Sequence, residues 1–423
     1  MALGRSETTA VGLILVLFVA AFATSLLPAS AQPDSDISDI AVSSTEADGG
    51  PRVPVPLTES PRDTLNSFFQ LRDELESSVG LYLEEQTGEQ FERLLLIFDH
   101  LRSLVDLSQV PLAEQRFVGD ATSLALLDIL GRIETPELDS VPDETVFDVS
   151  TPAAWRIPQT PLRIVRIDEG ERAGEFLFGP RTARIAPRFL QGIQQLPLNS
   201  RLDIKSWARF VPQFTGPLIP SRFVASIPEG LRVLWLDTPK WKTIAYMVLV
   251  IASAVFLLML HRFMRGQDFE NPVLSLLSRM TVPIVTFTLI WFGSPFALSQ
   301  LILTGQIFFV SYRILLVIEF VAGAWLFWLA VHVLFEWMIR SRRVKTGSLD
   351  ANLFRLIAAI VGIIGVVIIL AVGAQFMGVP VLSLIAGLGI GGLAVALAIR
   401  PTLENLIGGL ILYIDRPVRV GDY

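Results

Sequence analysis

Two leucines near the C-terminus, Leu393 and Leu397, have a spacing that could build a gate for ions. Residues four apart lie on one face of an α-helix, so a ring of identical helices would carry two stacked apolar collars. A narrow apolar collar stops ions by dewetting, without any side chain closing the opening. Ordinary packing in a helical bundle explains the same spacing, so the pair alone leaves both interpretations open.

The segment that holds these leucines, residues 379–412, is rich in small residues. Candidate packing positions are Ala386, Gly389, Gly392 and Ala394. Small side chains let helices approach each other closely inside a membrane. The sequence therefore predicts a helix that packs closely on neighbouring helices, such as copies of itself around an axis.

This apolar segment is longer than one membrane crossing. As a straight helix it would measure roughly 50 Å at about 1.5 Å per residue, against a hydrocarbon core of about 30 Å. An interior proline loses a backbone hydrogen bond and clashes with the preceding turn, so Pro401 predicts a kink. Residues 379–400 would then cross the membrane, and residues 402–412 would lie along its cytoplasmic surface as an amphipathic helix.

Arg400 is the charged residue at the predicted kink. Near the inner mouth of a pore, its charge would favour anions. The alternatives are an ion pair with Glu404, one helical turn further on, or contact with lipid headgroups. We favour these two alternatives over a role of Arg400 in ion selectivity.

Residues for other kinds of chemistry are scarce. The chain has no Cys, and its three His (His100, His261 and His332) do not have the spacing of metal ligands. The net charge of -7 gives no basic footprint for nucleic acid. In residues 162–196 no nucleophile is paired with a base, and no glycine-rich phosphate loop is present. We therefore expect no enzyme activity, no cofactor, no metal site and no nucleic-acid partner.

The composition is that of a membrane protein, with 52% hydrophobic residues. Four further apolar segments occupy residues 241–378 and precede the one described above. The third of them, within 301–339, is too long for one crossing and should begin near Arg313. The predicted fold class is mainly α, a multi-span helical membrane protein with about five transmembrane helices. The four segments are 243–263, 276–296, the one within 301–339, and 353–376.

Loop charges predict the orientation of these spans, because short cytoplasmic loops collect Lys and Arg. Basic residues cluster after the first span and between the third and fourth, whereas the other two loops nearly lack them. This pattern predicts a multi-pass protein of the inner (plasma) membrane, with a periplasmic N-terminal domain and a cytoplasmic C-terminus. The residues concerned are Arg262, Arg265, Arg340, Arg342, Arg343 and Lys345.

The N-terminus has the pattern of a signal peptide over residues 1–31. Arg5 precedes a short apolar run, and Ala29-Ser30-Ala31 gives a small-x-small cleavage site. An uncleaved membrane anchor is the alternative. Residues 32–60 are rich in Ser, Asp and Pro and predict a flexible linker.

Residues 61–240 predict an extracytoplasmic domain of the α or α+β class. Ser60 can cap a first helix that begins at Pro61, and amphipathic helices follow at about 91–107 and from Leu112. A β-hairpin is predicted within residues 162–178. A further helix is predicted over residues 181–196.

The C-terminal segment resembles the mechanosensitive channel of small conductance (MscS-like) family from Gly378 to Tyr423. The resemblance rests on four motifs in matching order and spacing. These are Gly-Leu-Ala-Val at 392–395, Thr-Leu-Glu-Asn at 402–405, Gly-Gly at 408–409 and Arg-Pro-x-Arg-x-Gly-Asp at 416–422. Residues 413–423 would then begin a cytoplasmic β-domain that continues in family members, so the chain is expected to be truncated.

The resemblance implies a homoheptameric channel in the lipid bilayer that opens under membrane tension. It would release ions and small solutes during hypoosmotic shock. Leu393 and Leu397 match the two constriction leucines, and Gly409 matches a distal flex point. The four small residues named above match the packing positions of the family. Pro401 departs from the family, in which the main bend usually falls at Gly, and Arg400 stands where a neutral polar residue is common.

One alternative from a different functional class stays open. The large domain before the spans would suit an extracytoplasmic ligand sensor that signals through its membrane helices. A transporter has less support, because Glu319 and Glu336 are the only acidic residues within the predicted spans.

Overall fold

The computed structural model describes residues 53–143, 154–267, 272–341 and 349–415. Within these ranges a domain of helices and a small sheet precedes five long apolar helices. The predicted signal peptide lies outside the described residues, as do most of the predicted linker and residues 416–423 of the predicted β-domain.

Three helices open the domain: α1 (Pro61–Glu84), α2 (Gly88–Ser103) and α3 (Leu112–Leu130). The predicted start of α1 is confirmed. The Asp63 backbone N–H donates to Ser60 Oγ at 3.1 Å, and Pro61 occupies the first turn, where no intrahelical donor is needed. The buried face of α1, which includes Leu65 and Leu75, packs into one core with the other two helices.

Helix α2 ends at Ser103, earlier than the sequence predicts, because the next residues join a sheet. The Phe178 N–H donates to Leu104 O at 2.9 Å, and the Asp106 N–H donates to Phe178 O at 2.9 Å. These bonds satisfy backbone groups that another helical turn would have used. The pairing partner is distant in sequence, so helical periodicity could not reveal this end.

The sheet has three antiparallel strands: β1 (Ala154–Arg156), β2 (Arg163–Arg166) and β3 (Phe176–Phe178). Strands β2 and β3 form the predicted hairpin, with Ile164 opposite Phe178. Gly174, with φ of 97°, supplies a left-handed residue in its turn. Strand β1 was not predicted, because its short and mostly exposed run has no apolar alternation. The domain is therefore of the α+β class.

Helix α4 (Pro180–Ile193) agrees with the predicted helix over 181–196. Short elements then lead to the membrane part: α5 (Trp207–Phe210), α6 (Ser221–Ser226), α7 (Glu229–Arg232), β4 (Leu234–Trp235) and β5 (Thr238–Pro239). The buried carboxylate of Asp128 fixes this connection. It accepts from the Trp207 N–H at 2.9 Å and the Ala208 N–H at 3.1 Å, and pairs with Arg132 at 2.8 Å.

Within the described residues, five helices are long and apolar enough to cross a membrane. This number agrees with the sequence prediction. Helix α10 packs between α9 and α11, and Gly365 of α11 lies so close to the Phe327 ring that a methyl group would collide with it. The five are α8 (Lys240–Arg265), α9 (Pro272–Phe296), α10 (Gly305–Ser341), α11 (Leu349–Phe376) and α12 (Val381–Asp415).

Helix α10 begins at Gly305, eight residues before the predicted start of the third membrane crossing near Arg313, and that membrane boundary stays a prediction. Its first turns pack on the N-terminal domain. Phe308 is 6% exposed, and the rings of Phe309 and Phe117 lie 5.0 Å apart. Hydropathy measures how apolar a segment is but not whether protein or lipid covers it, so it could not locate this start.

Candidate pore helix and its junction with the N-terminal domain

Helix α12 carries every candidate site residue that the sequence identified. Its 35 residues would span about 52 Å at 1.5 Å per residue. The sequence predicts two helical halves that part at Pro401, whereas the structure has one continuous helix that includes Pro401 and Gly409 and runs to Asp415. The missing N–H of one proline removes a single hydrogen bond, and the backbone stays helical on both sides of Pro401. The bend itself stays a prediction.

The surface of α12 is uncovered in the single chain. Leu393 and Leu397 are each 62% exposed. No side chain described along this helix is buried, and only Leu384 is half-buried. Packing inside one chain therefore does not account for the two leucines. An apolar surface of this size is covered by lipid or by other protein chains.

Within the described part of the chain, no contact explains the four candidate packing residues of α12. A Cβ atom added at Gly389 or Gly392 would meet nothing within 4 Å, and Ala386 and Ala394 are exposed. The contrast with α11 is clear, since Gly365 there faces an aromatic ring. Glycine lowers helix stability relative to alanine, so its repeated use in α12 favours close contact with helices outside this chain.

Arg400 forms the ion pair that the sequence analysis favoured. Its Nε donates to Glu404 Oε1 at 2.7 Å, one turn further along the helix. Both side chains are largely exposed, so the pair contributes at most about 1 kcal/mol to stability. Its main consequence is electrostatic, because the two charges offset each other on this part of α12.

A tight turn joins α11 to α12. The Gly378 N–H donates to Gln375 O at 2.9 Å, and the Val379 N–H donates to Ala374 O at 3.0 Å. Gly378 has φ of 90°, a left-handed conformation that closes the C-terminal end of a helix and that favours glycine. A Cβ atom there would lie 2.7 Å from Pro111 Cγ of the N-terminal domain. The turn before the candidate pore helix therefore lies directly against the domain.

Arg313 of α10 connects the domain, its own helix and this turn. Its Nη2 donates to Glu114 Oε1 of α3 at 2.7 Å and to Met377 O at 3.3 Å. The guanidinium group also lies over the Phe309 ring, 4.9 Å from its centroid. One side chain thus holds three elements together at the membrane end of the domain.

Sequence reasoning missed Glu114 and Gly378, and used Arg313 only to place a span boundary. Glu114 and Arg313 are 199 residues apart in the sequence, so no local pattern could pair them. The available signal was the arginine itself, because a charge inside an apolar helix is costly and usually has a partner.

The domain offers little catalytic chemistry in its described part. No group of three His, Asp or Glu residues there is arranged to hold a metal. A cavity of ≈ 100 Å³ between the domain and the α9–α10 turn is lined mainly by apolar side chains, among them Phe91, Leu303 and Phe308. Burial raises the pKa of Tyr82 in its wall to about 12, so this phenol stays protonated and donates to Thr215 O at 2.7 Å.

Comparison with known proteins finds partial relatives. The small-conductance mechanosensitive channel MscMJ of Methanocaldococcus jannaschii is 33% identical over 76 residues, which are 18% of this chain and 22% of the relative. The large-conductance mechanosensitive channel MscMJLR of the same organism is 42% identical over 69 residues, 16% of this chain and 18% of the relative.

The low conductance mechanosensitive channel YnaI of Escherichia coli is 33% identical over 82 residues, 19% of this chain and 24% of the relative. This chain therefore spans only about a fifth of the length of the curated relatives that it matches. No sequence profile of a known family matches the chain, and no solved structure matches it.

Proposed function

We propose, from its membership of the MscS-like family of mechanosensitive channels, that this chain is a subunit of a channel gated by membrane tension. Its open pore would release ions and small solutes on hypoosmotic shock. The observation that carries the proposal is the uncovered surface of α12, which presents Leu393 and Leu397 on one helical face. An apolar helix without partners in its own chain is what a subunit of a ring would contribute to a central pore.

The channel would be a homoheptamer in which α12 packs on copies of itself. The glycines at 389 and 392 support this arrangement, because close approach of identical helices is their remaining structural role. Leu393 and Leu397 would then form two apolar collars that exclude ions by dewetting.

Tension would act on the channel as a ligand acts on a two-state protein. It favours the state that occupies more membrane area, so it shifts the population towards a conformation with a wider collar. The charge pair of Arg400 and Glu404 would lie on the cytoplasmic side of the collars.

The N-terminal domain would lie in the periplasm. It contacts the starting ends of α8 and α10 and the turn before α12, for example through Lys242 Nζ, which donates to Pro212 O at 2.7 Å. These ends therefore share one side of the protein, and the Arg-rich segments lie at or just after the other ends of α8 and α10 in the sequence. The bias of Lys and Arg towards cytoplasmic loops supports this orientation.

The substitution Leu397→Ser tests the collar. A hydroxyl at this position should wet the constriction, so we expect a lower opening tension in patch recordings and slowed growth of cells that express the full-length variant. Leu388→Ser is the matched control, because Leu388 is similarly exposed but lies roughly 140° around the helix from Leu393. If Leu397→Ser and Leu388→Ser had the same opening tension and the same effect on growth, the collar would be excluded.

The cavity between the domain and the α9–α10 turn favours a second candidate function, a ligand sensor that signals through its membrane helices. Its walls come from both parts of the protein, so a ligand there would touch both. Opening of the purified protein by suction alone, with no ligand present, distinguishes a tension-gated channel from such a sensor.

A further inference from the structure

The N-terminal domain is anchored to the turn from which α12 starts, at a site that we term the junction. The junction consists of Pro111, Glu114, Arg313, Met377 and Gly378. Three separate contacts define it: the Glu114–Arg313 ion pair, the Arg313–Met377 hydrogen bond and the close approach of Gly378 to Pro111. The first joins the domain to α10, the second joins α10 to the turn that precedes the candidate pore helix, and the third joins the domain to that turn.

We infer that the junction sets the tension at which the channel opens, by holding the outer end of α12 against the domain in the closed state. The inference rests on the proposed function, since it assigns a regulatory role to a channel. A collar of α12 helices can widen only if these helices tilt or move apart. The turn at 377–378 would then move relative to α10 and α3, and its contacts with them would be lost.

The Glu114–Arg313 ion pair can stabilise the closed state by more than an ion pair on the protein surface would. Both side chains are partly buried, and Arg313 lies in an apolar helix over the Phe309 ring. Partial burial reduces screening by water and salt, so removal of one partner leaves a charge without compensation. The pair holds in place the Arg313 Nη2 group that also donates to Met377 O. That contact with the turn, made in the closed state and not in the open one, shifts the equilibrium between the two states.

The close packing at Gly378 makes the junction stiff. Its positive φ and the 2.7 Å separation from Pro111 Cγ leave no room for a side chain. A displacement of the turn therefore has to be transmitted to the first turn of α3 or break this contact. The domain is in this way mechanically linked to the pore helix.

The first experiment is a double-mutant cycle on Glu114→Gln and Arg313→Gln, with full-length channels recorded in liposome patches. Each single variant should raise the open-to-closed ratio at fixed tension by about 5- to 150-fold, the usual range of allosteric coupling. The double variant should add little to either single one. Fully additive effects, an unchanged opening tension or a higher one would overturn the inference.

The matched control is Arg116→Gln. Arg116 lies on the same helix as Glu114, and its ion pair with Asp120, at 3.9 Å, stays within that helix. The substitution Arg116→Gln removes a charge from α3 and leaves the junction contacts in place. Its opening tension should therefore equal that of the unmodified channel, and a shift as large as that of Glu114→Gln would contradict a specific role for the junction.

A second experiment uses the absence of cysteine from the chain. In the variant Pro111→Cys/Gly378→Cys the two Cβ atoms start about 3.1 Å apart, near the range that a disulfide spans. Oxidation should join the domain to the turn, as detected by peptide mapping, and should raise the opening tension reversibly. The reduced form of the same variant is the control, because it carries the same strain from the cysteine at position 378 but no disulfide.

The outcomes separate the inference from the proposed function. If the disulfide forms and reduction leaves the opening tension unchanged, the junction does not control gating, although the protein is still a channel. If the disulfide does not form, the contact itself is refuted. If the unmodified protein never responds to tension, the proposed function fails, whereas the peptide mapping still reports on the contact.

Discussion

At the scale of single residues, the Arg400–Glu404 pair determines the charge of α12 on the C-terminal side of Leu393 and Leu397. Arg400 follows Leu393 by seven residues, and Glu404 follows Leu397 by seven, so all four lie on the same face of the helix. In the proposed ring they would lie next to the permeation path. The 2.7 Å contact between Arg400 and Glu404 keeps the net charge of this part of α12 near zero.

This arrangement predicts opposite changes in ion selectivity for the two neutral substitutions. Arg400→Gln would leave a ring of carboxylates and shift permeability towards cations, and Glu404→Gln would leave a ring of guanidinium groups and shift it towards anions. Reversal potentials under a salt gradient measure both shifts.

The variant with both substitutions, Arg400→Gln/Glu404→Gln, is the control. It removes both charges and should return the reversal potential to nearly that of the unmodified channel. A shift of the same sign in the two single variants would show that the pair does not lie on the permeation path.

Contacts between residues close in the sequence could be predicted, but contacts between residues far apart in the sequence could not. The Ser60 cap and the Arg400–Glu404 pair were predicted, because both depend on residues within one helical turn. The contact of Arg313 with Glu114 joins residues 199 positions apart, and only the folded chain brings them together. The same limit explains why the end of α2 was misplaced, because the residues that follow it pair with the distant strand β3.

At the scale of elements, hydropathy predicted the number of membrane helices but not the extent of each. It placed the membrane boundary of the third span near Arg313, and this boundary stays a prediction. The helix that contains it, α10, begins at Gly305, and its first turns contact the domain. Proline chemistry likewise predicted two separate halves for the fifth helix, whereas a single helix crosses Pro401.

The glycines of α11 and α12 give a prediction at this scale. Gly365→Leu inserts a side chain where the Phe327 ring leaves no room, and overpacking of this kind costs about 1–3 kcal/mol or more. Gly389→Leu meets nothing within its own chain, so we expect a stable subunit that assembles poorly, because the contact between copies of α12 is blocked.

Two measurements on the purified proteins separate these effects. Light scattering in detergent gives the mass of the oligomer, and thermal unfolding gives the stability of the subunit. Gly365→Leu should lower the unfolding temperature, whereas Gly389→Leu should reduce the oligomer mass and leave the unfolding of the N-terminal domain unchanged. A full-sized oligomer from Gly389→Leu would contradict the packing role of α12.

At the scale of the whole molecule, the N-terminal domain and the candidate pore helix meet at the junction. The domain contacts α8, α10 and the turn before α12, so it touches three of the five apolar helices at their starting ends. Beyond that turn, no described side chain of α12 is buried and only Leu384 is half-buried. The pore helix is thus held at one end and is otherwise available for contact with other subunits and lipid.

The most direct test of the central claim is single-channel recording of the purified full-length protein in liposome patches under graded suction. The account predicts discrete openings whose probability rises steeply with tension, without any ligand, and at lower tension in Leu397→Ser. Patches that contain the folded protein and carry no tension-dependent current, whether or not Leu397 is replaced, would contradict it.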